Sequence, residues 1–314
     1  MRMAESPRVA FVFPGQGAQF VGMGREIYAN NAEARRVFDL ADAALGMRLS
    51  RICFEGPLEE LRLSVNVQPA LITVSLALLA AIGISSRVTP VFTAGHSLGE
   101  YTALVASGVI LAMDAIRLVR ERGRLMHQAG TEKPGAMLAI IGMPNEAVEE
   151  LAAEAGVYVA SYNCPGQAVV SGELPLIETA RTMAISRGAA RVVPLQAGGA
   201  FHTPLMQSAS DGLAQIVLQT AFDTPRIPVV SNISAQPLSS VSAVRDELPH
   251  QLTRPVQWQK SVEYMISQGV DTFVEIGPGR VLSGLIKHIN SRVNVINAED
   301  SASVEILKGQ LSLQ

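Results

Sequence analysis

Residues 90–104 read PVFTAGHSLGEYTAL, with Ser97 between two glycines in Gly95-His96-Ser97-Leu98-Gly99. An extended, partly β-branched run precedes the serine and a helix-forming run follows it. Gly-x-Ser-x-Gly in that context forms a sharp strand-to-helix turn. The chain folds back on itself there, so the flanking positions must be small, and the serine Oγ is held above a helix N-terminus where an oxyanion can be stabilised. The chemistry this permits is nucleophilic attack on an acyl carbonyl.

A hydroxyl is a poor nucleophile at neutral pH unless a base adjoins it, most often a histidine. The chain has five histidines. His96 adjoins Ser97 but points elsewhere on so tight a turn, which suits it to packing or to bonding the turn. His127 ends a helix on its polar side, His250 lies in DELPHQL, and His288 lies in the late helix LSGLIKHIN. His202, in GGAFHTPLM, stands where the chain leaves the last strand of an inserted unit and re-enters the main body. A cleft between two units is a common catalytic location. Position alone therefore favours His202, with His250 as the alternative.

A further candidate comes from helical geometry. At ~100° per residue, Ala115, Leu118, Val119, Arg122 and Met126 share one face of a helix, and Arg117, Arg120 and Arg124 share the other. Arg122 thus sits within an apolar stripe. Its stem can pack while its head reaches water, or it can pair with an internal carboxylate. The third option is that it grips a ligand carboxylate through two parallel N–H bonds. The early loop FPGQGAQFVGMG lacks a third glycine at the dinucleotide spacing and has no Lys-Ser/Thr of a P-loop. A loop after a neighbouring strand can instead lend a backbone N–H to an oxyanion hole, and Gln16 is placed for that.

These residues must be carried by a scaffold. RVAFVF, VTPVFTAG, IPVVSNIS and DTFVEIGPG read as strands, and residues 24–45, 69–84, 99–110 and 114–129 as helices. Strands alternating with long helices predict a parallel sheet covered on both faces. Between about 131 and 198 the order changes to βαββαβ, a ferredoxin-like unit that can fold as an insertion. The expected division is a large subdomain from 1–130 and 199–314, with the small one at 131–198.

Length, charge and cysteine usage narrow the class. A chain of 314 residues, 48% hydrophobic and 17% charged, can bury a large core. A net charge of −3 gives no general attraction to nucleic acid or anionic membrane. Cys53 and Cys164 are far apart and have no metal-type spacing, which fits a reducing compartment. The apolar run at 69–84 is shorter than the ~20 residues of a membrane span, and the N-terminal apolar run is too short for a secretory leader. A soluble cytoplasmic protein is expected.

The stretches FPGQGAQ, QPAL, AGHSLGEYTALVASGV, ERGRLM, NCPGQAVVSG, GAFHTPLM, PVVSN, QLTRPVQW and EIGPGRVLSGL, from residue 11 to about 290, together resemble one family. It is that of the malonyl-CoA:acyl carrier protein transacylases, which includes the acyltransferase domains of fatty-acid and polyketide synthases. The resemblance implies an α/β-hydrolase-like large subdomain with a ferredoxin-like small one. It implies Ser97 as nucleophile and His202 as base, with the backbone N–H groups of Gln16 and Leu98 as oxyanion hole. Arg122 would bind the malonyl carboxylate, and the main-chain carbonyl of Gln251 would orient the histidine in place of an aspartate. Phe201 precedes His202 in GAFH, similar to the malonyl-selective HAFH of polyketide acyltransferases except at Gly199, and its bulk should leave little room for an α-methyl branch.

The expected activity is therefore transfer of malonyl from malonyl-CoA to the phosphopantetheine thiol of an acyl carrier protein, for fatty-acid synthesis, with no metal or redox cofactor. The alternatives are a stand-alone acyltransferase serving a polyketide synthase and a serine thioesterase. An inactive docking subunit that keeps the fold is a further one.

Overall fold

A computed structural model describes residues 7–83 and 89–312. Its strands are β1 (Val9–Phe13), β2 (Phe92–Gly95), β3 (Gly135–Ile141), β4 (Tyr158–Cys164) and β5 (Gln167–Glu173). They continue with β6 (Arg191–Leu195), β7 (Val229–Val230), β8 (Pro237–Leu238), β9 (Thr272–Ile276) and β10 (Asn294–Ala298). The larger sheet has the order β10-β9-β1-β2-β7-β8. It is parallel from β10 to β7. β8 pairs antiparallel with β7 and gives the sheet a short edge that the sequence pattern does not contain. Every residue of β1 and β9 is buried. Strands covered on both faces show near-continuous apolar runs instead of alternation, as RVAFVF does.

The smaller sheet, β4-β5-β3-β6, is antiparallel throughout. Helix Asn145–Ala155 joins β3 to β4, and Leu174–Ser186 joins β5 to β6. This is the βαββαβ order of a ferredoxin-like unit. The whole is an α/β fold with a parallel sheet and a second, antiparallel one.

Several elements depart from expectation for local reasons. The helix expected over 24–45 is two, Arg25–Asn30 and Ala32–Leu45. Asn31 is extended between them (φ −129°, ψ 121°), and its side chain accepts from the Ala34 N–H. An asparagine satisfying a free N–H in this way starts a helix afresh. The strand ending at Gly95 begins at Phe92; Val88 of the expected segment lies outside the described residues. The central helix runs Ser64–Ile82, starting before the expected position, and Ile84 lies outside the described residues. At 19 residues it is long and apolar enough to cross a membrane, yet 89% of its apolar window is buried within the protein. It is the core helix. It packs against helix Ala112–Glu132, and Gly123 permits the approach, since a Cβ there would lie 2.2 Å from the Ser64 carbonyl oxygen.

Candidate active site

Ser97 lies in the turn between β2 and helix Gly99–Ala106. Its φ is +50°, a left-handed conformation that non-glycine residues rarely hold. Both flanking glycines are sterically required. A Cβ on Gly95 would lie 1.9 Å from the Gly99 carbonyl carbon, and one on Gly99 would lie 2.0 Å from the Phe13 carbonyl oxygen. The loop after β1 passes equally close, for a Cβ on Gly15 would meet the His96 carbonyl oxygen at 2.3 Å.

The Ser97 Oγ is 2.9 Å from His202 Nε2. His202 Nδ1 is 2.7 Å from the Gln251 carbonyl oxygen. A carbonyl can only accept, so Nδ1 carries the proton and Nε2 is left as the acceptor facing Ser97. His202 too has a positive φ, +61°. Strained conformations on both partners are of the kind that concentrates at functional sites. Burial, and secondarily the positive charge of Arg122, pull the His202 imidazole down to about 3. The ring is therefore neutral at physiological pH and able to take a proton.

Arg122 is 1% exposed, on the buried face of helix Ala112–Glu132 with Ala115, Leu118, Val119 and Met126. Its head does not reach water. Nη1 donates to Gln68 Oε1 at 2.8 Å, and Nη2 donates to Gln251 Oε1 at 2.8 Å and to Ser97 Oγ at 3.1 Å. The guanidinium lies 5.3 Å from the centre of the Tyr101 ring, and its Nε–H meets no acceptor among the described residues. Every hydrogen-bond acceptor it has there is neutral. Glu100 is fully buried nearby, but burial and the adjacent Glu247 push its carboxyl well above the usual carboxylate range. Glu100 is thus a weak counter-charge, and the cation is held without a direct ion pair among the described residues.

A cavity of about 430 Å³ opens on these groups, lined by Gln16, Ser97, Leu98, Arg122, Phe201 and His202 among others. Among the described residues the N–H groups of Gln16 and Leu98 donate to no protein acceptor. Phe201 is buried at the wall, and a Cβ on Gly199 would come within 2.9 Å of its ring. β3, β4 and β5 of the smaller sheet supply the opposite wall through Met137, Asn163 and Val169. All seven residues singled out from the sequence meet around this cavity, Gln251 through its bonds to His202 and Arg122.

Of the other histidines, His127, His250 and His288 lie apart from it, and His96 lines it without facing Ser97 Oγ. His250 bonds the Asp246 carbonyl of its own helix at 2.8 Å, and His127 and His288 are exposed. His96 turns its Nε2 to Asn163 Oδ1 at 2.9 Å, pinning the turn to β4. Two contributors carry no expected role. Gln68 is a fully buried amide in an apolar helix, and that mismatch was the signal available for it. The Gln251 side chain, beyond its carbonyl, donates to the Ser97 carbonyl at 3.1 Å and to Glu100, linking histidine, arginine and nucleophile. No local pattern marks it.

The profile of the acyl transferase domain family matches residues 10–309. The Bacillus subtilis malonyl CoA-acyl carrier protein transacylase is 44% identical over 304 residues, covering 95% of this chain and 96% of that protein. The chain belongs to this transacylase family. The Escherichia coli K12 transacylase is 43% identical, covering 89% of this chain and 92% of that one. Among solved structures, the Coxiella burnetii transacylase superposes with a TM-score of 0.94 at 34% identity, over 98% of each chain. A malonyl-transacylase described in complex with a type II polyketide synthase acyl-carrier protein gives 0.94 at 38% identity, over 96% of this chain and 99% of that one. A transacylase of this family is an acyltransferase.

Proposed function

We propose that this acyltransferase moves malonyl from malonyl-CoA to the phosphopantetheine thiol of an acyl carrier protein, in the cytoplasm and for fatty-acid synthesis. The observation that carries it is Arg122: a buried cation bonded only to neutral groups, with Nη2 3.1 Å from the Ser97 Oγ. A substrate whose acyl group ends in a carboxylate supplies the missing charge within reach of the nucleophile. An esterase for uncharged acyl groups has no use for it. The observed contact between Ser97 and His202 also argues against an inactive docking subunit.

In the first half-reaction Ser97 Oγ attacks the thioester carbonyl and passes its proton to His202 Nε2. The tetrahedral oxyanion is taken by the Leu98 and Gln16 N–H groups, and donors prepositioned in this way are commonly the largest catalytic contribution. Collapse breaks the C–S bond. The CoA sulfur leaves with the proton from His202, and malonyl-Ser97 remains. The carrier thiol then gives its proton to His202, attacks the ester and restores Ser97. The Gln251 carbonyl keeps the imidazole in the required tautomer throughout. Charge and protons balance among these groups and the two substrates, so the scheme calls for no cofactor. We read the chain as a large part, 1–130 with 199–314, and a small part, 131–198, and the lining of the cavity by residues of both supports an acyl site between them.

Labelled malonyl-CoA tests this directly. The label is expected on the peptide containing Ser97, stable until a holo carrier protein is added and then moved to the carrier. Loss of the label to water at the same rate with and without carrier would identify a hydrolase instead.

Phe201 is proposed to set acyl selectivity from the cavity wall. One methylene in a pocket discriminates by only ~1–3 kcal/mol, so the effect is modest. Phe201→Ser is expected to raise the methylmalonyl-to-malonyl ratio of kcat/KM. An unchanged ratio would assign the selectivity to other lining residues.

A further inference from the structure

Asn232 follows β7 in PVVSN, and no step above uses it. It is 2% exposed and bonded on every side. Its Oδ1 accepts from the Ser97 N–H at 2.7 Å, and its Nδ2 donates to the Gly95 carbonyl at 2.7 Å. Its own N–H donates to Glu100 Oε1 at 2.8 Å, and its carbonyl accepts from the Gln257 N–H at 2.7 Å. The partners also settle which way the amide faces, because an N–H needs the oxygen and a carbonyl needs the NH₂.

The two peptide groups it holds are those on either side of His96, where the chain reverses. β2 and β7 pair only at Thr93 with Val229 and Ala94 with Val230. The Asn232 side chain therefore extends that pairing past the strand ends and onto the turn. Ser97, at φ +50°, is in a conformation its own backbone does not favour. Relaxation of the Ser97 peptide would swing Oγ off the line to His202 Nε2. The clamp also occupies the Ser97 N–H, and since the His96 and Gly99 N–H groups are bonded to backbone, the Leu98 N–H is the donor of this turn without a protein acceptor among the described residues.

We infer that Asn232 is a positioning residue whose carboxamide clamps Gly95 and Ser97, holding the serine in the strained conformation that aims its Oγ at His202. This rests on the reading of Ser97 as nucleophile. The test uses the full chain and a fluorophosphonate probe, which reports serine reactivity without malonyl-CoA or carrier protein. Asn232→Ala is expected to slow labelling of Ser97 by about 10–10²-fold, since misplacement by an ångström costs on that order. Its kcat for malonyl transfer should fall with KM held, and its circular dichroism should be unchanged. Asn232→Asp keeps an acceptor for the Ser97 N–H and loses the donor to Gly95, so its labelling should fall between the two.

Ser231→Ala is the control. It removes the bond from Ser231 Oγ to Glu247 and those it accepts from the Ile233 and Ser234 N–H groups, all in the same buried loop and none to Gly95 or Ser97, and it should label at close to the wild-type rate. Labelling of Asn232→Ala at the wild-type rate would overturn the inference. So would equal slowing in Ser231→Ala. If Asn232→Ala does not fold, wild-type labelling of Asn232→Asp overturns it in the same way. Absence of labelling in the wild-type protein itself would strike at the nucleophile assignment instead.

Discussion

Replacing His202 with alanine is expected to lower kcat for malonyl transfer by about 10²–10⁴-fold, the usual worth of general-base assistance. Circular dichroism should show the fold intact. The imidazole bridges Ser97 Oγ and the Gln251 carbonyl, so its loss leaves the hydroxyl with no acceptor for its proton. His250→Ala is the matched control, because that ring bonds its own helix, and equal damage there would undo the assignment.

The pH dependence adds a second check. With His202 pulled down to about 3, the base stays neutral well into acid. The kcat/KM profile should therefore remain level from about pH 7 to about pH 5, with no fall near the 6.5 of an ordinary histidine. The same shift bears on stability. Between 6.5 and about 3 the unfolded chain binds the proton that folded His202 refuses, so this group weakens the fold as pH falls through that window and has no such effect above it. A kinetic limb near 6.5 that disappears in His202→Ala would show an imidazole less buried than the structure has it.

Arg122→Ala is expected to lower kcat/KM for malonyl-CoA by about 10²–10³·⁵-fold. Leaving a buried carboxylate without its cation costs on the order of 3–5 kcal/mol, and each ~1.4 kcal/mol is a factor of ten. Acetyl-CoA has no carboxylate and should lose far less. Its loss is confined to the Nη2 bond on Ser97 Oγ and the anchoring of Gln251, partly offset because removing the cation makes His202 a stronger base. The decisive quantity is the malonyl-to-acetyl ratio of kcat/KM in the two proteins. A parallel fall for both substrates would make Arg122 a structural support for the nucleophile and end its reading as the carboxylate site.

What the sequence reveals and what it hides follow from how far apart the interacting residues lie. The Ser97 turn is legible because its demands are local: two glycines that a Cβ would drive into backbone, a strand before and a helix after. Arg122 is legible because helical period alone puts it among Ala115, Leu118 and Val119. The βαββαβ unit is legible because its strands and helices follow one another in the chain without interruption.

Harder to read are features set by distant partners. β7 and β8 have two residues each and exist as strands only through pairing. Gln68 meets Arg122 across 54 residues, Asn232 meets Ser97 across 135, and Gln251 meets Ser97 across 154. No periodicity links such positions. The break at Asn31 was in principle readable, since asparagine is a strong start for a helix, but the uninterrupted apolar spacing on both sides masked it.

The place of β1 in its sheet sets a timetable for the chain as it is made. β1 lies between β2 and β9, and its partner in β9 comes about 260 residues later. At ~5–20 residues per second of synthesis, the first strand and the apolar helix behind it wait about 10–50 s before the edge that covers them leaves the ribosome. The ferredoxin-like unit, with its strands between residues 135 and 195, has all its sheet partners well before then. The newborn chain therefore passes through a stage in which every strand of its small sheet is available while its most apolar helix still lacks part of its cover. That interval is when it most needs a chaperone or a dilute surrounding.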